Sequence, residues 1–176
     1  MRLFIAFDVS KEVEEHLADV QKKLDANYAK LAFTNYFHLT LKFLGDVPED
    51  KIPKITETLE TVKAEKFSLT LDSLGFFNDE NYITVVWVGI KKNEIVNTFQ
   101  EEVESALLHY FPRGKFHPHI TLARVKYVLE KEKFVSLVKS VNVNQINFLV
   151  DKFVLYKSTL TRDGPAYEIV KEFDLE

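Results

Sequence analysis

Two four-residue stretches constrain this chain more than anything else in it: His38-Leu39-Thr40-Leu41 and His119-Ile120-Thr121-Leu122. Each reads His, apolar, Thr, apolar, which is the strict alternation of a half-buried strand. Residues i and i+2 of a strand share a face, so each copy sets an imidazole beside a hydroxyl and turns its apolar pair the other way, toward packing. Taken singly, either stretch reads as an ordinary strand with a half-buried histidine and threonine. Two in matching register point to one polar surface built by both.

The rest of the chain supplies elements to carry such a surface. Residues 2–8 read as a central strand. Ser10 is a suitable N-cap for a helix from Lys11 to about Asn27, where Val13, Leu17, Val20 and Leu24 recur at helical spacing; His16, beside Glu14 and Glu15, reads as a solvated surface residue. The first motif strand covers 36–44 and stops at Gly45-Asp46. Pro48-Glu49-Asp50 opens a second helix to about Ala64, with its acids suited to the first turn. Strands are expected over 67–77 and 82–90, joined by a loop at 78–81, then a helix over 93–110 with His109 in its last turn. Pro112-Arg113-Gly114 breaks the chain before the second motif strand, 116–125. A short helix over 129–140 follows, then strands over 146–159 and 166–174 joined by a turn at 161–165. This order describes two interlocked α+β lobes within one domain over residues 1–176, the motif strands brought together although their histidines lie 81 positions apart.

Composition excludes several alternatives. The chain has no cysteine, which removes disulfides and Cys-ligated zinc or iron–sulfur sites. Its formal net charge of −4 argues against coating duplex nucleic acid by bulk attraction, so a nucleic-acid ligand would be held by a few local cations, at an end for example. No apolar run is long enough for a bilayer span or a signal peptide, and the expectation is a soluble cytoplasmic protein with no membrane contact.

Two histidines and two threonines on one surface suit phosphate chemistry. Histidine titrates near neutrality, so one imidazole can take a proton while the other gives one. Threonine hydroxyls can donate to phosphoryl oxygens as charge builds there. A metal site is the competing reading, because His117-Pro118-His119 offers two imidazoles at i, i+2. No Asp or Glu lies within the motif strands and threonine is a poor zinc ligand, so His117 reads as a neighbour of the site and no metal is expected.

The stretches Phe37-His38-Leu39-Thr40-Leu41-Lys42-Phe43-Leu44-Gly45-Asp46 and Phe116-His117-Pro118-His119-Ile120-Thr121-Leu122-Ala123-Arg124 resemble the paired signatures of the two-histidine phosphoesterases. Within them the match is to the RNA 2′,3′-cyclic phosphodiesterases, once described as 2′-5′ RNA ligases. The opening Met1-Arg2-Leu3-Phe4-Ile5-Ala6-Phe7 and the closing Gly164-Pro165-Ala166-Tyr167-Glu168 fit the same family.

The resemblance implies a bilobal LigT-like fold, two antiparallel sheets facing a central cleft with helices outside. It also implies metal-independent hydrolysis of a terminal RNA 2′,3′-cyclic phosphate to a 2′-phosphomonoester, with reversible 2′-5′ ligation as the companion reaction. His38 and His119 would be the acid–base pair, with Thr40 and Thr121 holding the phosphate. Arg124 matches a family phosphate-binding position, although strand parity turns it away from His119 unless the strand bends after Leu122. Lys42 shares parity with His38 and Thr40 and is a further candidate for phosphate contact. Phe33 stands where many members carry Trp, and reads as core packing. The expected partners are RNA ends or nucleotides bearing a cyclic phosphate, met by a monomeric chain without cofactor. The alternatives are a phosphodiesterase acting on 2′-5′ oligonucleotides or cyclic ADP-ribose phosphate, and a non-catalytic module binding RNA ends or nucleotides.

Overall fold

A computed structural model describes residues 1–162 and 164–176. Asp163, in the turn expected over 161–165, lies outside the described residues. The chain runs β1 (Arg2–Asp8), α1 (Lys11–Leu24), β2 (Ala29–Phe33), β3 (His38–Asp46), a 3₁₀ turn (Glu49–Lys51) leading into α2 (Ile52–Leu59), β4 (Phe67–Phe77), β5 (Val85–Ile90), α3 (Glu94–Leu107), β6 (His119–Val128), α4 (Lys131–Ser140), β7 (Asn147–Val150), β8 (Lys152–Thr161) and β9 (Gly164–Asp174). The helix starts follow side-chain chemistry. The Ser10 hydroxyl accepts the Val13 N–H, and the Asn93 side chain accepts those of Ile95 and Val96, satisfying donors that the first turn leaves without a helical partner.

The strands form one antiparallel sheet in the order β7-β4-β5-β6-β3-β1-β8-β9, with β2 continuing beyond β3 along the same edge of β6. The two sheets expected from sequence are its two halves. They meet where β3 and β6 lie side by side, paired through Leu39 and Ile120. The chain weaves between the halves. After β1, helix α1 packs against β6; after β5, helix α3 packs against β3. One apolar core therefore draws Leu3, Ile5, Phe7 and Leu39 from one half and Val86, Val88, Ile120 and Leu122 from the other. On the opposite face a second, smaller cluster of Phe4, Ala6, Val154 and Tyr156 packs with Tyr36 and Tyr167. Strand β1 is thus buried on both faces, as its continuous apolar run requires.

Several boundaries differ from the sequence expectation. Helix α1 ends at Leu24, and β2 follows it as an unexpected strand, formed because the edge of β6 offers a partner. The second helix stops at Leu59 rather than continuing to Ala64: Lys66 donates to the Glu176 carbonyl and Glu176 to that of Ala64, so this segment is claimed by the chain end. The strand expected over 146–159 breaks at Asp151 into β7, which pairs with β4, and β8, which pairs with β1 on the far side of the sheet. The third helix ends at Leu107, which leaves His109 beyond it with its ring edge on Tyr110. His16 is not simply solvated: its Nε2 accepts the Asn144 N–H at 3.0 Å and ties α1 to the loop before β7. Among the described residues no helix is long and apolar enough to cross a membrane.

Candidate active site

The four motif side chains lie around the Leu39–Ile120 pair, on the sheet face away from the helices. Leu39 and Ile120 point into the core. One position either side of an antiparallel pair, the register sets Thr121 beside His38 and His119 beside Thr40. The next strands outward complete two rows. Asp8 pairs with His38 and Ala6 with Thr40 on β1, while Gly89 pairs with His119 and Trp87 with Thr121 on β5. Neither threonine hydroxyl bonds to another described residue, so both are free to donate to a ligand.

Each motif strand then bulges at its second apolar residue. The partners of β3 run Ala6 to Thr40, then Ile5 to Lys42, which leaves Leu41 as the extra residue. Those of β6 run Trp87 to Thr121, then Val86 to Ala123, which leaves Leu122 extra. A bulge inverts the face of everything after it. The consequence reverses two expectations from simple alternation. Lys42, expected beside the phosphate, turns into the core at 6% exposure. Its Nζ donates to Glu104 Oε2 at 2.6 Å and to the Pro112 carbonyl at 2.8 Å. It is not a site residue. Arg124, for which a bend after Leu122 was needed, gains one and emerges exposed on the face of His119 and Thr121. The same step in β3 brings out Phe43, 69% exposed and against Phe4.

Lys42 still serves the site indirectly. Glu104 also accepts from Gln100 and from the Gly114 N–H, and Gln100 donates to the Leu41 carbonyl at the bulge. This buried network fixes the bulge of the first motif and the approach to the second together.

Aromatic rings wall both histidines. The His38 ring lies 5.0 Å from Phe4, 5.6 Å from Tyr36 and 5.4 Å from Tyr167 between centroids. His119 lies 4.7 Å from Phe77, 6.1 Å from Trp87 and 6.1 Å from His117, so His117 is the neighbour it was expected to be. Trp87 can lie flat across β4 because its partner there is Gly75, where a Cβ would meet the indole at 2.3 Å. Phe33 packs against the core, away from this surface.

Burial dominates the electrostatics. It pushes the His38 imidazole down to about 4, against the opposing pull of the Tyr36 carbonyl and the Asp8 charge and with a further push from His119. Burial also lowers His119; its His117 carbonyl contact opposes this and the His117 ring adds to it. Both imidazoles are therefore neutral in the free protein at neutral pH. The His119 Nδ1 lies 2.7 Å from the His117 carbonyl, so its proton sits there and Nε2 carries the lone pair. The His38 Nδ1 has no partner at hydrogen-bond geometry. Such a site can accept a proton at one imidazole, deliver one from the other after an anion has entered, and hold a phosphoryl group between two hydroxyls. Among the described residues, no three His, Cys, Asp or Glu side chains are grouped to hold a metal ion.

The family model of the 2′-5′ RNA ligase superfamily matches residues 9–162. The chain belongs to that superfamily. A relative from Methanocaldococcus jannaschii named RNA 2′,3′-cyclic phosphodiesterase is 34% identical, over 98% of this chain and 100% of that protein. One of the same name from Thermotoga maritima is 36% identical, over 100% of this chain and 96% of its own length. Among solved structures, Escherichia coli LigT in its apo form superposes with a TM-score of 0.78 at 26% identity, covering 99% of this chain and 96% of that one. LigT has also been solved with 3′-AMP, at a TM-score of 0.76 and 26% identity over 99% of this chain and 97% of that one.

As a 2′-5′ RNA ligase superfamily member the chain has the expected α+β LigT-like architecture. Its surroundings for the two histidines were not anticipated from sequence. Asp8, Tyr36, Tyr156, Tyr167, Phe77 and Trp87 all went unassigned. Only Asp8 carried a signal, as the acid that closes the apolar run 3–7.

Proposed function

We propose that this protein hydrolyses terminal RNA 2′,3′-cyclic phosphates to 2′-phosphomonoesters, with His38 and His119 as the acid–base pair. The observation that carries the reading is the register about Leu39 and Ile120, which alternates imidazole and hydroxyl around one point of the sheet. The activity for which relatives 34% and 36% identical over nearly the whole chain are named supports it. His119, with its Nδ1 proton committed to the His117 carbonyl, takes a proton from water as the water oxygen attacks phosphorus. The P–O3′ bond breaks, and His38 delivers a proton to the departing 3′ oxygen. Thr40, Thr121 and Arg124 stabilise the charge that gathers on the non-bridging oxygens. Lys42 has no part in this.

With a ribose 5′-hydroxyl of a second RNA end in place of water, the same displacement forms P–O5′ as P–O3′ breaks and joins two ends through a 2′-5′ bond; run backwards, with the two histidines exchanging roles, it cleaves that bond. The near symmetry of the two His-x-Thr strands favours this second reading. Incubation with an oligonucleotide ending in a 2′,3′-cyclic phosphate, followed by identification of the terminal group, tests the proposal. A 2′-phosphate is expected. A 3′-phosphate would mean that the other P–O bond is cleaved. An unchanged end, with turnover only of a 2′-5′ oligonucleotide or a cyclic ADP-ribose phosphate, would move the protein to another branch. Binding without turnover of any of them would make it a module for RNA ends.

A further inference from the structure

The pseudo-symmetry of the site fails at the positions flanking the two histidines: outside His38 stands Asp8, and outside His119 stands Gly89. Asp8 does not act alone. Its Oδ1 lies 2.8 Å from the Tyr36 hydroxyl and 2.7 Å from the Tyr156 hydroxyl, which are 2.6 Å from each other. Two protons serve three short oxygen contacts, so the carboxylate always receives at least one of them. Burial raises both phenols, Tyr36 to about 12, and keeps them protonated as donors. Both rings then pack on the His38 side of the site, Tyr36 against the imidazole directly and Tyr156 through Phe4.

We propose that Asp8, clamped by Tyr36 and Tyr156, is the positioning residue for His38 and makes the two histidines of the site inequivalent. Tyr36 sits two residues before His38, the position that His117 holds before His119. The difference is that the His119 contact closes at 2.7 Å within its own strand, whereas His38 Nδ1 reaches no partner at hydrogen-bond geometry. What holds the His38 end is therefore the far end of Tyr36, anchored on Asp8. The carboxylate also favours a positive imidazole at His38, which nothing equivalent does at His119. The groups facing His38 or its walls are Asp8 on β1, Tyr36 before β3, Tyr156 on β8, Tyr167 on β9 and His119 on β6. Arg124 and Arg2 act on Tyr167, and Glu14 on Tyr36. Asp8 is the one carboxylate among those acting on His38 directly. The proposal rests on the acid–base reading in one respect: the histidine that Asp8 favours in its charged form is the one assigned to protonate the leaving oxygen.

The test is to follow both imidazoles by NMR titration in the ligand-free full chain, beside the pH profile of kcat/KM on a cyclic-phosphate oligonucleotide. Asp8→Asn keeps an acceptor for both hydroxyls and removes the charge. It is expected to cost His38 on the order of tenfold in proton affinity. The limb of the profile assigned to His38 should move to lower pH while the His119 midpoint stays in place. Tyr156→Phe removes a donor from the carboxylate and leaves its charge bare, so His38 is expected to move the opposite way. Circular dichroism establishes that each variant is folded. Movement of His38 in the same direction in both folded variants, no movement in either, or an equal movement of His119 overturns the proposal. If one variant fails to fold, the direction taken by the other decides. Absence of wild-type turnover would instead remove the cyclic-phosphate reading, because the titrations are read without substrate.

Discussion

Lys42 and Arg124 leave their motif strands on opposite faces of the sheet, one sealed against Glu104 in the core and the other exposed on the face that carries the two imidazoles. Lys42 is the fourth residue after its histidine and Arg124 the fifth. Because both strands bulge just before, the fourth position is internal and the fifth external in each. The two cations should therefore fail in different ways when removed.

Lys42→Met strands the buried Glu104 charge and is expected to cost about 3–5 kcal/mol of stability, the usual penalty for breaking a buried pair. Adding Glu104→Gln, which removes that charge and keeps an acceptor for the Gly114 N–H, should recover much of the loss. Urea melts measure both. Below the melting range, the folded fraction of Lys42→Met should lose far less turnover than Arg124→Ala, because Lys42 touches the site only through the bulge its network supports.

Arg124→Ala touches no buried group and should leave the melt within about 0.5 kcal/mol. Losing one charge-assisted hydrogen bond to phosphate should lower kcat/KM by roughly tenfold or more. Equal activity of the variant and wild type would remove Arg124 from the site.

The histidines should fail together. His38→Ala and His119→Ala are each expected to cost roughly 10²–10⁴-fold in turnover, and the double variant far less than the product of the two. The kcat/KM profile should be bell-shaped with its maximum on the acid side of neutrality, since burial lowers both imidazoles and takes His38 to about 4. A profile still rising above pH 7.5 would contradict the paired mechanism.

The same burial makes stability depend on pH. His38, His119 and His16 all titrate lower in the folded chain than the ordinary 6.5. Between the folded and unfolded values the unfolded chain binds more protons, so the stability present above the unfolded value is lost as pH falls through the folded one. For His38, whose folded value is about 4, this amounts to about 3 kcal/mol between pH 7 and pH 4. Urea midpoints at the two pH values check it, and His38→Ala should flatten the difference.

Gly75→Ala would drive a methyl group into the Trp87 indole. The displaced ring leans on His117 and stands beside His119, so overpacking of about 1–3 kcal/mol should be accompanied by reduced turnover. Trp87 is the sole tryptophan of the chain, and its emission reports the shift directly.

The order of helices and strands was legible because each rests on local periodicity: Val13, Leu17, Val20 and Leu24 mark α1, and the paired His-x-Thr alternation marks β3 and β6. So was the face shared by the four motif residues, since alternation over three positions needs no knowledge of neighbours. β2 was missed because Ala29–Phe33 has no strong pattern of its own and becomes a strand only against β6. The expected 146–159 strand was read as continuous because its composition is continuous; that Asp151 divides it between opposite edges of the sheet depends on where β4 and β1 lie.

What the sequence alone determined is therefore the set of candidate groups and the faces they share for as long as a strand stays regular. Tertiary structure decided everything that hangs on a partner strand. A bulge is a mismatch in count between two neighbours, and neither strand carries that count by itself. It sent Lys42 inward and Arg124 outward, against the reading of a single strand. The pairing of β1 with β3 set Asp8 beside His38, and that of β5 with β6 set Gly89 beside His119. Two strands that both begin His-x-Thr-Leu thus hold their histidines in unlike surroundings, because the neighbouring strand sets a carboxylate beside one and a glycine beside the other.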